Sequence, residues 1–191
     1  MIDIEKSKRM DYTITTDRLF LRPINESDIS FFHEFETRSE YFEYDRDMAQ
    51  SKDEIAKVCL WFIEKAKALP TEGAIRWIIV NDKAIIGEVH INCNWEESQE
   101  WEIGWHLLPE YWGKGYATEA TKAVIGYSFL HFKIHRLITL CCTENVRSVA
   151  LAERVGMVRD GRMRENKLIK GVYYDEYVYS ILRHEAMATR V

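Results

Sequence analysis

Pro109-Glu-Tyr-Trp-Gly-Lys-Gly-Tyr-Ala-Thr-Glu-Ala120 is the stretch of the chain that decides its fold. A strand pattern ends at Leu108, two glycines follow, and a helical pattern starts at once. The first backbone N–H groups of a helix have no intrahelical partner and carry partial positive charge. Gly113 and Gly115 let the backbone approach a ligand closely, and Lys114 adds a positive charge. These features predict a binding site for a phosphate or pyrophosphate.

Two common nucleotide-binding motifs do not describe this stretch. It contains no G-x-x-x-x-G-K-[ST], and G-x-G-x-x-G fails because Thr118 stands at the last glycine position. The preceding strand is not the first of a βαβ unit, as a dinucleotide-binding fingerprint requires. Because short glycine patterns are common, a strand–turn–helix junction without a ligand stays an alternative.

Hydrophobic periodicity predicts a mixed α/β (α+β) domain around this junction. Along residues 101–108 the side chains alternate strictly, so Trp101 and Ile103 share one face while Glu102 and His106 share the other. The prediction is a central sheet of about seven strands flanked by about four helices. The predicted strands are 13–24, 75–80, 85–93, 101–108, 135–143, 157–164 and 172–182, and the predicted helices are 25–36, 51–69, 116–132 and 145–156.

Length and composition favour one folded domain. The chain has 191 residues, 47% of them hydrophobic, and a net charge of −5 that disfavours general binding to nucleic acid or an anionic membrane. We expect a domain over 13–183 between tails at 1–12 and 184–191. With no signal peptide or membrane span recognised, and no C-x-x-C pair among its four cysteines, a cytoplasmic protein is expected.

Three further segments form an ordered pattern along the chain together with the glycine-rich stretch. These are Thr16-Asp17-Arg18-Leu19 with Leu21-Arg22-Pro23, then Glu102-Ile103-Gly104-Trp105, and finally Asn145-x-x-Ser148 followed by Val155-Gly156-Met157. Together they resemble the GNAT superfamily of N-acetyltransferases, in particular its RimJ/RimL-type branch. The acyl-CoA motif of that family, Gln/Arg-x-x-Gly-x-Gly/Ala, covers Trp112, Gly115 and Ala117, so Trp112 departs from the usual Gln or Arg.

This resemblance implies an acetyl-CoA-dependent N-acetyltransferase with a single GNAT-type domain. It implies a mostly antiparallel sheet that splays between the 101–108 and 135–143 strands to admit the pantetheine arm. A backbone N–H at the end of the first of these strands would polarise the thioester carbonyl. The implied cofactor-binding residues are Leu107, Leu108, Trp112, Gly113, Lys114, Gly115, Tyr116, Ala117, Thr118, Asn145 and Ser148.

Acid and base candidates follow from the same resemblance. Many members carry a Tyr acid where this chain has Ala152, and Ser148 lies one helical turn earlier on the same face. Its hydroxyl would stabilise the leaving thiolate, whereas the alternative is an ordinary serine of a first helical turn. For the base the candidates are Glu102, Glu165 and His106. Glu88 and His90 share a face of the preceding strand, which predicts a polar wall beside the thioester.

The acceptor expected by analogy with the branch is a protein N-terminal α-amine, such as that of a ribosomal protein. At pH 7 an α-amine is roughly 10–15% neutral, whereas a lysine amine is neutral less than ~0.1% of the time. A small-molecule amine acetyltransferase, for an antibiotic or polyamine, and a non-catalytic acyl-CoA-binding module stay open. A monomer or homodimer is expected, without nucleic acid or membrane partners.

No metal is expected, because a helix boundary separates His131 from His135 and no third ligand is evident. An aromatic cluster early in the chain is predicted to lie mostly in the core and to line part of the acceptor pocket. Its members are Phe31, Phe32, Phe35, Tyr41, Phe42 and Tyr44.

Overall fold

One eight-stranded sheet organises the chain in the computed structural model, which describes residues 11–35, 43–44 and 51–189. The strands are β1 (Ile14–Thr15), β2 (Phe20–Pro23), β3 (Ala74–Asn81), β4 (Ala84–Trp95), β5 (Glu100–Leu107), β6 (Arg136–Cys142), β7 (Val158–Ile169) and β8 (Val172–Leu182). The helices are α1 (Ile29–Phe35), α2 (Lys52–Lys65), α3 (Tyr116–His131), α4 (Val146–Arg154) and α5 (Arg183–Thr189). The predicted fold class is confirmed.

The sheet runs in the order β1-β2-β3-β4-β5-β6-β8-β7 and is antiparallel except between β5 and β6. The β5–β6 pairing is parallel and ends after Glu102 opposite Ile138, so the two strands part beyond that point. This is the predicted splay. The structure has one strand more than predicted, because a turn in which Thr16 N–H donates to the Leu19 carbonyl divides the first segment in two.

Each face of the sheet is covered by its own layer of helices. On one face, α3 and α4 share a large buried cluster with alternate side chains of β5, including Trp101, which stacks on Phe132 with ring centroids 6.2 Å apart. On the other face, α1 and α2 pack on β3 through a smaller cluster that contains Phe32, Phe62 and Ile78. The second face therefore receives the polar side chains of β5.

The end of the chain differs from the expected tail. Residues 183–189 form α5, where Arg183 donates hydrogen bonds to the carbonyls of Phe129, Phe132 and Ile134 at the end of α3. Since Ala186 is buried in the large cluster, this helix belongs to the packed body. Residues 1–10 of the other predicted tail, together with Tyr41 and Phe42, lie outside the described residues. Among the helices of the described ranges, none is long and apolar enough to cross a membrane.

Candidate active site

A cleft of about 1170 Å³ opens where β5 and β6 part. Most of the residues predicted to bind the cofactor line it, and so do three of the acid and base candidates. These lining residues are Leu107, Trp112, Gly113, Gly115, Tyr116, Ala117, Thr118, Asn145, Ser148, Glu102 and His106. Leu108, Lys114 and Glu165 do not line the cleft.

The glycine-rich loop forms one wall of the cleft. Gly113 and Gly115 adopt φ values of 72° and 81°, the left-handed region that favours glycine, and Gly115 is the N-cap of α3. Gly115 provides no side-chain cap for α3. The first backbone N–H groups of the helix therefore face the cleft as a set of donors suited to a phosphate.

Arg18 braces this loop from the neighbouring strand segment. Its Nη1 donates to the Lys114 carbonyl at 3.0 Å, and its Nε donates to Glu119 at 2.7 Å. The guanidinium also lies 4.6 Å from the ring centroid of Tyr116. Sequence reasoning gave Arg18 no role in the site, although it belongs to the opening motif that carries the family resemblance.

Positive charge lines the cleft on the side of the loop, although Lys114 does not supply it. The Nζ of Lys114 lies 5.2 Å from the ring centroid of Tyr111 instead. The lining cations on that side are Lys122, Arg147 and Arg154, while a fourth, Lys167, lies 3.6 Å from Glu176 on the β7–β8 hairpin. Arg147 stacks over the Trp112 ring at 4.2 Å, so the aromatic residue that departs from the family motif positions a cation beside the loop. Loop amides and cations together fit the phosphates of CoA.

The end of β5 presents backbone donors to the gap. Leu108 N–H donates to the Ile86 carbonyl at 2.8 Å, which turns that amide toward β4. Because amide directions alternate along a strand, the N–H groups of Trp105 and Leu107 point the other way, toward β6. The Trp112 indole donates to the Leu107 carbonyl at 2.7 Å, on that same side. Of the two residues predicted to contact pantetheine here, the geometry therefore presents Leu107 and turns Leu108 away.

The first turn of α4 forms the opposite wall. The Asn145 side chain accepts a hydrogen bond from Ser148 N–H at 3.1 Å, so Asn145 is an N-cap. The Ser148 hydroxyl lies 3.4 Å from Cys141 Sγ. Burial raises the pKa of the Cys141 thiol, which keeps it protonated beside the serine. Ala152, at the position of the usual tyrosine, is buried in the large cluster.

A second cluster of polar residues lies on the α1–α2 face of the sheet and reaches the cleft. The Glu88 carboxylate is 1% exposed, and it lies 2.8 Å from Nδ1 of His106, 3.1 Å from Nδ1 of His90 and 3.6 Å from Nε of Arg76. Burial alone would raise the pKa of Glu88. Electrostatic attraction to His90 and Arg76, together with hydrogen bonds from both histidines, holds that pKa well below its ordinary value.

Aromatic rings of the helical layer cover this cluster. Phe35 of α1 lies edge-on to His106, with ring centroids 6.2 Å apart, and Phe62 of α2 lies 5.4 Å from His90. Glu88, His90 and His106 bring possible metal-ligand atoms within 4.8 Å of one another. Each Nδ1 already contacts the carboxylate, and Arg76 adds a positive charge beside it, so the arrangement favours a hydrogen-bonded cluster over a metal centre.

The remaining carboxylates separate into two groups. Glu102 lines the cleft and accepts a hydrogen bond from Asn94 at 3.1 Å. Glu165 lies outside the cleft, because a register shift in β7 places it at φ 50° with its N–H donating to Asp175. The carboxylate that this hairpin does bring to the cleft is Glu176, which is buried and accepts from Asn166 at 2.7 Å. The alternation of β8 is the signal that could have found it.

Comparison with known proteins agrees with this geometry. Residues 18–158 match the acetyltransferase (GNAT) domain family. The chain is 30% identical over 172 residues to the uncharacterized N-acetyltransferase YnaD of Bacillus subtilis, covering 90% of this chain and 98% of that one. It is 29% identical over 163 residues to the spermidine N(1)-acetyltransferase of Vibrio cholerae, covering 83% and 89% of the two chains.

A solved structure extends the likeness to the whole fold. The ribosomal L7/L12 α-N-protein acetyltransferase RimL, in complex with coenzyme A, superposes with a TM-score of 0.81 at 20% identity, over 89% of this chain and 97% of that chain. The matched family is one of acetyl-transferring enzymes that use acetyl-CoA, which favours an enzyme over a non-catalytic binding module. The chain belongs to the GNAT family of acetyltransferases.

Proposed function

We propose that this enzyme transfers the acetyl group of acetyl-CoA directly to a primary amine, most specifically to the α-amine of a protein N-terminus. The observation that carries the proposal is the polarity of the cleft. Helix N–H groups and Lys122, Arg147 and Arg154 line its α3–α4 side, where Glu119 is paired with Arg18, while Glu88, Glu102 and Glu176 line it toward the α1–α2 face, where Lys167 lies 3.6 Å from Glu176. A polyanionic cofactor and a cationic acceptor thus approach the strand gap from opposite sides.

The residues of the gap supply what the reaction needs. The amine nitrogen attacks the thioester carbonyl carbon, the carbon–sulfur bond breaks, and the amine loses one proton while the CoA thiol gains one. The N–H groups of Trp105 and Leu107 face the place where negative charge develops on the carbonyl oxygen. The Ser148 hydroxyl, on the opposite wall, donates to the departing sulfur.

A protein α-amine suits this site because of its protonation. With a pKa of about 7.7–8.0, a tenth or more of it is neutral at pH 7, whereas a lysine-type amine near 10.4 is almost entirely charged. The structural likeness to RimL, at 20% identity, shows a shared fold. The proposed preference for an α-amine therefore rests on its larger neutral fraction at pH 7, and not on that likeness.

A polyamine is the second candidate acceptor. Glu102 and Glu176 on the acceptor side, the second of them 3.6 Å from Lys167, offer negative charge to an acceptor that carries several positive charges. The relative from Vibrio cholerae is named for spermidine, and the chain covers 89% of it.

The two candidates are separated by following thiol release from acetyl-CoA with a matched set of amines. The set contains a lysine-bearing peptide with a free N-terminus, the same peptide with a blocked N-terminus, and spermidine. Release with the first peptide only, and an acetyl group on its α-nitrogen by mass spectrometry, supports the proposal. Release with spermidine alone would identify a polyamine, and not an α-amine, as the acceptor. If none of the three amines stimulates release, the proposed function is contradicted.

Replacing Ser148 by alanine tests the assigned acid. We expect kcat to fall about tenfold with little change in the KM for acetyl-CoA, because one hydrogen bond to the leaving sulfur is lost only in the transition state. Steady-state kinetics measure this, with Ser98→Ala, an exposed serine outside the cleft, as the control. An unchanged kcat at saturating substrates would remove Ser148 from the mechanism.

A further inference from the structure

Two imidazoles share one buried carboxylate in the cleft wall. Nδ1 of His90 lies 3.1 Å from both oxygens of Glu88, and Nδ1 of His106 lies 2.8 Å from one of them. An ionised carboxylate only accepts hydrogen bonds, so each Nδ1 carries the hydrogen. In the neutral ring this leaves the lone pair on Nε2, the atom that can take up a proton.

The ring of His90 lies over Gly104, at the point where the sheet divides. The two residues are paired across β4 and β5, and a Cβ built on Gly104 would lie 2.5 Å from Cε1 and 2.6 Å from Nε2 of His90. Gly104 is two residues beyond Glu102, where the pairing of β5 with β6 ends. The absence of a side chain at Gly104 thus lets Nε2 reach across β5 toward the gap.

We propose that Nε2 of His90 is the general base of this enzyme. It takes the proton from the attacking amine nitrogen as the carbon–nitrogen bond forms, and the imidazolium passes that proton to water after the thiolate has left. Glu88 is a positioning residue, because it fixes the tautomer and orientation of the ring and stabilises the positive charge that the ring acquires. This inference rests on the proposed function. It assigns the base to His90, whereas the candidates predicted from the sequence are Glu102, Glu165 and His106.

The groups around His90 support this role. The charged and titratable groups that face it are Glu88 from β4, Arg76 from β3, and His106 and Glu102 from β5, while α2 packs Phe62 against its ring. Arg76 and Glu88 offset each other's charge, so the cluster holds an ionised carboxylate without excess negative charge. The His90 side chain is 18% exposed, which leaves it in contact with the cleft.

Replacing His90 by asparagine tests the proposal most selectively. The asparagine amide can keep the donor to Glu88 near the position of Nδ1 but has no group at the position of Nε2. At pH 7 we expect kcat to fall about a hundredfold, the usual size of a general-base contribution. The deficit is expected to narrow toward pH 9, where the α-amine binds already neutral.

Two further variants separate this role from a structural one. His106→Asn removes an imidazole from the same carboxylate but not the ring over Gly104, and it is expected to lower kcat less than tenfold. His184→Gln, an exposed histidine of α5, serves as the unaffected control. His90→Gln provides a second replacement if the asparagine variant does not fold, with acetyl-CoA affinity and thermal unfolding as folding controls.

These experiments separate a wrong assignment of the base from a wrong assignment of the acetyl-transfer function. If the wild-type enzyme shows no amine-dependent thiol release, the proposed function fails. If the wild-type enzyme turns over but folded His90 variants keep the wild-type kcat, or lose kcat equally at every pH, the function stands and the assigned base is overturned.

Discussion

Replacing Glu88 by alanine is expected to lower the free energy of unfolding by about 3–5 kcal/mol and to abolish measurable turnover. Glu88 is 1% exposed and is the charge partner of Arg76, which is itself 8% exposed. Removing one member of a buried charge pair leaves the other charge without compensation, and this is among the most costly single changes in a protein core. Urea unfolding at pH 7 measures the effect.

An exposed carboxylate provides the control for this prediction. Glu97→Ala, in the loop between β4 and β5, is expected to change the free energy of unfolding by less than about 0.5 kcal/mol. If Glu88→Ala lowers the free energy of unfolding by less than about 1 kcal/mol, the buried charge of Arg76 does not need this carboxylate for compensation.

The same residue makes stability depend on pH in a stated direction. Its pKa is lowered in the folded state, so its contribution is fully present above the unfolded value near 4.3 and is lost as pH falls below it through the folded pKa. The wild-type protein should therefore lose more stability below about pH 4.3 than Glu88→Gln does.

Gly104→Ala is expected to lower kcat about a hundredfold while the protein stays folded. A methyl group at Gly104 would lie 2.5 Å from the His90 ring, so the ring must leave its position over β5. Steady-state kinetics at pH 7 measure the loss. The matched control is Gly161→Ala in β7, where a Cβ meets nothing within 4 Å.

A double-mutant cycle shows whether the two residues act as one unit. If Gly104→Ala acts by displacing the ring, combining it with His90→Asn adds little to either single loss. Multiplication of the two losses would instead mean that Gly104 matters for another reason, such as close approach of the cofactor.

Features set by neighbouring residues could be predicted from the sequence. The strand–glycine–helix junction at 109–120 depends on local conformation, and Gly115 adopts the left-handed N-cap conformation that such a junction uses. The splay beside β5 was predicted from the family resemblance. The N-cap at Asn145 is a local feature of the same kind, because its side chain bonds to a residue three positions away.

Features set by strand register could not be predicted in the same way. Glu88 meets His106 only because β4 and β5 pair in one register, and Arg76 reaches Glu88 from a third strand. The positions of Glu165 and Glu176 also depend on strand register. An irregularity in β7 turns Glu165 away from the cleft, whereas the regular alternation of β8 places Glu176 in its lining. Arg183, expected at the edge of a tail, instead binds three carbonyls at the end of α3.

The most direct test is a crystal structure of the enzyme with acetyl-CoA and a non-reactive analogue of the acceptor. We expect the pyrophosphate on the backbone amides of residues 113–118 and the thioester in the gap between β5 and β6. We also expect the acceptor nitrogen within hydrogen-bond distance of His90 Nε2. Acetyl-CoA bound outside the gap, or an acceptor that approaches from the α3–α4 face, would contradict this arrangement.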